Sequence, residues 1–197
     1  MAVRSHLYPF RTQKLSSFAM IILGWRRPGN VVLCRYFFRN PVLLGRDFFI
    51  GGIMEIIKVE NNKKKYLDLL LLGDEQESMI DRYLERGTMY IMKENEVVAV
   101  CVVTDEGNSV LEIKNISVYP QYQNMGYGRK FIEFIEKKYH GFKKIKVGTG
   151  DSPLTVPFYQ KCGFKEAYRI KNFFIENYDH PIYECGVQLK DMIYFEK

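Results

Sequence analysis

From residue 54 onward, apolar and polar positions alternate between short strand-like runs and helical stripes. Residues 54–59, Met-Glu-Ile-Ile-Lys-Val, read as a first strand. Residues 63–72 form a short apolar run that periodicity alone leaves open between helix and buried strand. Residues 75–85 set Met79, Ile80, Tyr83 and Leu84 on one stripe, with Asp74 as a candidate N-cap and Gly87 as the stop. Two β-rich runs follow, 88–93 and 97–104, joined by Glu94-Asn95-Glu96 as a hairpin. After the turn Glu106-Gly107-Asn108 comes a longer strand over 109–119. Its alternation breaks near Asn115, which predicts a bulge that re-aims the strand end.

Residues 126–139 carry the clearest helical pattern. Phe131, Ile132, Phe134 and Ile135 lie inward, and Lys130, Glu133, Lys137 and Lys138 outward. Residues 144–147 read as a strand, 153–162 as a short helix and 164–170 as a strand. Residues 173–186 are irregular, and 187–195 closes the chain as a final strand. The order β-α-β-β-β-α-β-α-β-β predicts an α/β fold whose sheet is mixed in direction. No internal repeat or low-complexity segment interrupts it.

The first 53 residues behave differently, with no sustained period of 2 or 3.6. They hold seven Arg and one Lys against a single acid, Asp47, whereas residues 54–197 hold four Arg and seventeen Lys against 22 acids. The chain's net charge of +6 therefore belongs to its first quarter. The nearly neutral remainder gives no compositional support for nucleic-acid binding. A targeting peptide and a small accessory domain are two readings of residues 1–53. A third is favoured: Gly51-Gly52-Ile53-Met54 is what an in-frame ribosome-binding stretch, spacer and start codon would give. On that reading 1–53 is an over-extended start and the working domain is 54–197. Mass spectrometry of the native N-terminus tests it.

No apolar run approaches the roughly 20 residues of a membrane span. Cys34, Cys101, Cys162 and Cys185 form no C-x-x-C pair, and three histidines are too few to suggest a zinc site, so no metal is expected. Cysteines used this way suit a reducing cytoplasm.

The chemistry concentrates in Ile116-Ser117-Val118-Tyr119-Pro120-Gln121-Tyr122-Gln123-Asn124-Met125-Gly126-Tyr127-Gly128-Arg129-Lys130. A strand ends at Pro120, and a helix opens on two glycines spaced by one residue. Helix N-termini present unpaired N–H groups and partial positive charge, which suits phosphate, and glycine lets an anion approach the backbone. Arg129 and Lys130 add positive charge where the helix dipole disfavours it, an odd choice unless an anion is present. Taken alone, the glycines are better read as a plain turn before a helix than as an anion site. A dinucleotide fingerprint would need a third glycine where Phe131 stands, and a P-loop would need Gly-Lys-Ser/Thr.

This stretch resembles the GNAT superfamily of acyl-CoA-dependent N-acetyltransferases. Gln123, Gly126 and Gly128 match the Gln/Arg-x-x-Gly-x-Gly/Ala signature, preceded by Ile116, Val118 and Pro120. A second signature of the superfamily matches Phe158-Tyr159-Gln160-Lys161-Cys162-Gly163-Phe164. The resemblance covers 54–197. It is closest to small bacterial members sometimes labelled indole-acetate acetyltransferases, through residues 147–152 and Asp191-Met192-Ile193.

The resemblance implies a mostly antiparallel mixed sheet flanked by helices, acetyl-CoA as co-substrate, and an amine acceptor that is a small molecule or a protein. A homodimer is compatible with it. It also implies that backbone N–H groups over Met125, Gly126, Tyr127, Gly128, Arg129 and Lys130, after Gln123 and Asn124, hold the pyrophosphate. The pantetheine arm would pair along the strand at Ile116 and Val118, where a backbone N–H polarises the acetyl carbonyl. Glu112 stands at the position of a general base, or else forms a charge pair with Lys114 or another lysine. Tyr159 stands at the position of the acid that protonates the leaving thiolate, or else is an aromatic core residue. Asp151 replaces a frequent Asn of related sequences. The segment holding Phe173, Phe174, Tyr178, His180, Tyr183 and Glu184 falls near the expected acceptor cleft. A non-catalytic acetyl-CoA sensor is the alternative to an enzyme.

Overall fold

Val97–Asp105 is apolar at nearly every position, a run suited to a strand covered on both faces. In the computed structural model, which describes residues 54–197, this segment is the third strand of a seven-stranded sheet. Numbered along the chain, the strands are β1 (Glu55–Val59), β2 (Thr88–Lys93), β3 (Val97–Asp105), β4 (Val110–Val118), β5 (Lys144–Gly150), β6 (Lys165–Ile170) and, after a two-stranded ribbon of β7 (Tyr183–Glu184) and β8 (Val187–Gln188), β9 (Met192–Glu196). The sheet order is β1-β2-β3-β4-β5-β9-β6. Only β4 and β5 pair in parallel, so the sheet is mixed and mostly antiparallel, as the motifs implied.

Helices cover both faces. On one, Met89, Ile91, Val100 and Val102 pack against Leu69 and Leu70 of α1 (Leu67–Leu70) and Ile80, Tyr83 and Leu84 of α2 (Glu77–Leu84). On the other, Tyr90, Cys101, Leu111 and Ile113 pack with Phe131, Ile132 and Ile135 of α3 (Tyr127–Lys138) and Tyr159 of α4 (Thr155–Lys161). Full burial of a side chain such as Phe131 contributes about 2 kcal/mol, so this stripe anchors α3 firmly.

The bulge expected near Asn115 is present. Asn115 faces Val102 and Ile113 faces Val103, leaving Lys114 as the extra residue of β4. It exchanges the two faces of the strand. Before it, Leu111 and Ile113 point toward α3; after it, Ile116 and Val118 do. Asn115 and Ser117 then turn toward α1 and α2. There Asn115 donates to the Leu70 carbonyl (2.9 Å) and to the Tyr83 hydroxyl (3.1 Å), and Ser117 donates to Asn115 (2.8 Å).

One open reading is settled and three local expectations are corrected. Residues 63–72 resolve into a 3-10 turn, Lys63–Tyr66, running into α1. Helix α2 takes Gln76 as its N-cap, because the Asp74 carboxylate accepts the Tyr178 hydroxyl at 2.8 Å instead. The segment 173–186, read as irregular, contains a fifth helix, α5 (Phe173–Asn177), and β7. The strand expected over 187–195 is split, since Leu189 turns into a small cluster with Phe174 and Ile182 while Asp191 accepts the Asn172 N–H (2.9 Å). Expectations placed on 1–53 lie outside the described residues.

Candidate active site

The parallel pairing of β4 with β5 ends at Ile113 opposite Val147, yet β4 continues to Val118 and β5 to Gly150. The strands part there, and β4 is left with an open edge. The Tyr119 N–H donates to the Val98 carbonyl at 3.0 Å, toward β3. By the period of two, the backbone groups of Ile116 and Val118 point the other way, into the opening. Gln123 confirms the direction for Val118, since its side-chain amide donates to the Val118 carbonyl at 3.1 Å.

A 3-10 turn, Pro120–Tyr122, and a left-handed Asn124 (φ 61°) carry the chain from that edge to α3. The N-cap of α3 is Gly126 at φ 88°, with no side-chain cap and no acid in the first turn. Its first N–H groups therefore have no partner within the helix. A Cβ on Gly126 would meet no atom within 4 Å, so the space on that side of the N-cap is open. Gly128 differs: its Cβ would lie 3.0 Å from the Phe158 ring of α4. Helix packing, rather than anion approach alone, demands glycine there. Met125 is exposed, whereas the Tyr127 side chain is buried in the core.

The two basic residues have structural partners. The Arg129 guanidinium donates to the Lys161 carbonyl at the end of α4 (2.9 Å), and the Lys130 ammonium sits 5.2 Å from the Tyr127 ring centre. Their presence in the first turn thus has an explanation that does not need an anion.

Tyr159 is buried in the core on the α3 side of the sheet, stacked on Phe195 (6.1 Å) and edge-on to Phe158 and Phe164. Burial, and then the neighbouring Cys101, Cys162 and Glu184, push its phenol above the ordinary tyrosine value. Cys101 is the β3 partner of Ile116, and the phenol belongs to the same core cluster against which Ile116 and Val118 pack. Glu112, preceding the bulge, points to the opposite face of the sheet. It is buried, and its two oxygens take the ammonium groups of Lys114 (2.7 Å) and Lys146 (2.9 Å). A role in proton transfer would have to break one of these ion pairs.

Asp151 pairs with Arg169 (3.0 Å) at the surface. Tyr178 and Asp179 tie the aromatic segment to the entry of α2 through Asp74 and Gln76, the latter at 3.1 Å. Among the described residues, no group of three or more His, Cys, Asp or Glu side chains could hold a metal ion, and no helix is long and apolar enough to cross a membrane.

An opening between parallel strands, beside an uncapped helix that starts on glycine, is the arrangement that the resemblance to the GNAT superfamily implied. Comparison with known proteins agrees. The family model of the acetyltransferase (GNAT) domain matches residues 85–166. An uncharacterized N-acetyltransferase of Bacillus subtilis strain 168, YvbK, is 38% identical over 138 residues, covering 68% of this chain and 88% of that protein. A GNAT family acetyltransferase from Elizabethkingia anophelis, solved with acetyl-CoA bound, is 35% identical with a TM-score of 0.68, covering 73% of this chain and 96% of its own. An IAA acetyltransferase from Bacillus cereus is 32% identical with a TM-score of 0.67, covering 73% of this chain and 97% of its own. The chain belongs to the GNAT superfamily of N-acetyltransferases.

Proposed function

We propose that residues 54–197 form the catalytic domain and transfer the acetyl group of acetyl-CoA to a primary amine by direct attack in a ternary complex. The observation that carries this reading is the β4 edge at Ile116 and Val118, paired with no strand on that side, leading to the uncapped start of α3. The pyrophosphate lies against the N–H groups that follow Gly126, where dipole and unpaired donors favour an anion by about 1 kcal/mol. The pantetheine arm adds to β4 like a short strand. Acetyl-CoA supplies the activated thioester. A backbone N–H of β4 steadies the developing oxyanion, a contribution of about 3 kcal/mol in comparable sites. Tyr159, held protonated by its buried surroundings, gives its proton to the departing thiolate.

The buried thiols Cys101 and Cys162 suit a reducing compartment such as the cytoplasm. The test is calorimetric titration with coenzyme A, followed by thiol release from acetyl-CoA against a panel of alkyl amines, diamines and lysine peptides. Binding with turnover is expected. Absence of binding would remove the reading, and tight binding without turnover would favour a sensor.

A further inference from the structure

Attack by an amine requires that its ammonium form first lose a proton, and Glu112, already held by two lysines, is poorly placed to receive it. Another carboxylate is better situated. Glu184, on β7, has an oxygen, Oε2, that is shielded from solvent and without a hydrogen-bond partner among the described residues. Glu112 and Glu106 hold lysine or arginine, and Glu136 Oε1, which likewise makes no hydrogen bond, has the Lys197 ammonium at 2.7 Å. No structural duty of this kind accounts for Glu184.

Its setting is firm. The ribbon is closed by β7–β8 pairing and by the Leu189 N–H donating to the Ile182 carbonyl (2.9 Å), with Ile182, Leu189 and Phe174 buried beneath. The preceding stretch is fastened to the α2 entry by Tyr178 and Asp179. Leu189, which closes the ribbon, lies across Gly150 at the end of β5 that parts from β4. The carboxylate acts electrostatically on Tyr159 of α4, and Glu75, ahead of α2, acts on it in turn. His180 acts in turn on Glu75, with Asp74 adjoining it in the chain.

We propose that Glu184 is the catalytic residue that removes the proton from the acceptor's ammonium group; this rests on the acetyl-transfer reading. The ammonium N–H passes its proton to the Glu184 carboxylate, and the freed nitrogen lone pair bonds to the thioester carbonyl carbon. The tetrahedral adduct then collapses, and the C–S electron pair leaves with sulfur, which takes the Tyr159 phenolic proton. The nitrogen's second proton restores the phenol. Glu184 releases its proton to solvent, so acetyl-CoA and ammonium become amide, CoA thiol and one proton. Burial and the neighbouring Glu75 raise the Glu184 pKa, toward the range useful to a base at near-neutral pH.

The test uses the full chain and its E184Q and E184D variants, with thiol release from acetyl-CoA measured from pH 5.5 to 9 against the amine panel. In E184Q, turnover is expected to fall roughly 100-fold. Coenzyme A affinity by calorimetry, which also reports folding, should be unchanged. The acid limb of kcat/KM should move up toward the pKa of the free amine in E184Q and return in E184D. An unmutated protein that turns over, beside an E184Q variant with the same rate and acid limb, overturns the role of Glu184 and leaves acetyl transfer standing. An unmutated protein that releases no thiol with any amine overturns both. Carbon-13 titration of labelled glutamate carboxylates is independent of the acceptor: the signal missing from E184Q should titrate above 4.5, and a lower midpoint overturns the proposal.

Discussion

Gly126 and Gly107 offer a matched pair that separates backbone strain from ligand contact. Both have positive φ, 88° and 80°, and at neither would a Cβ meet any atom within 4 Å. Gly107 turns the chain between β3 and β4. Gly126 caps the helix start where the pyrophosphate is proposed to lie. An alanine at either position must hold a left-handed backbone, at a cost of about 1–2 kcal/mol. The narrower unfolded ensemble of alanine offsets part of this, about 0.4–1 kcal/mol. A net loss of about 1 kcal/mol is expected in each variant, a fall of about 3 °C in Tm for a domain of this size.

Coenzyme A binding should distinguish them. The G126A methyl projects into open space at the α3 N-cap, where the proposed pyrophosphate contact is worth about 1–2 kcal/mol when partly enclosed. Loss of that contact weakens binding by about 5- to 30-fold. The G107A variant should keep the original affinity. Calorimetric titration with coenzyme A, beside thermal unfolding of both variants, reads the two quantities separately. Equal losses of stability with no difference in coenzyme A affinity would refute the placement of the pyrophosphate at α3.

Replacing Tyr159 with phenylalanine should lower turnover by about 100-fold while leaving coenzyme A affinity near its original value; unchanged turnover measured by thiol release would remove the phenol from the mechanism. Acid unfolding should report Glu106. Burial acts to raise its pKa, but hydrogen bonds from Thr104 and Arg86 and the charge of Lys114 outweigh it and bring the value to about 2. A lowered folded pKa gives stability that is present above the unfolded value of 4.5 and lost as pH falls toward 2. Unfolding free energies of E106Q across pH 4.5 to 2 should depend less on pH than those of the original chain, and identical slopes would count against these contacts.

The patterning made the first half of the fold legible because its strands are sequential neighbours. Each of β1 to β4 pairs with the next, so local turns such as Glu94-Asn95-Glu96 already define the register. The bulge was readable as well, since a strand buried on two faces betrays a change of parity. The C-terminal quarter was not. Strand β9 inserts between β5 and β6, a long-range arrangement on which the alternation of 187–195 is silent. Asp74 looked like a cap because capping is a local rule, and a partner 104 positions away claimed it. Glu112 was visible as a strand carboxylate with a lysine two residues on, but Lys146 comes from the parallel neighbour. Glu184 stood out only as one member of an aromatic-rich segment, because an unpartnered oxygen is a property of packing.

Two motifs some thirty residues apart look independent in the sequence, one for phosphate and one for an acid, but the structure makes them a single unit. Gly128 is small because Phe158 lies across it, and Arg129 closes the same junction by donating to Lys161. The helix that would hold the pyrophosphate is therefore docked on the helix that carries Tyr159, at positions adjoining each functional residue. A shift of α3 large enough to spoil phosphate binding would displace the phenol as well. On the proposed reading, seating of the cofactor and placement of the proton donor are thus one packing condition, which would require both motifs to be present together.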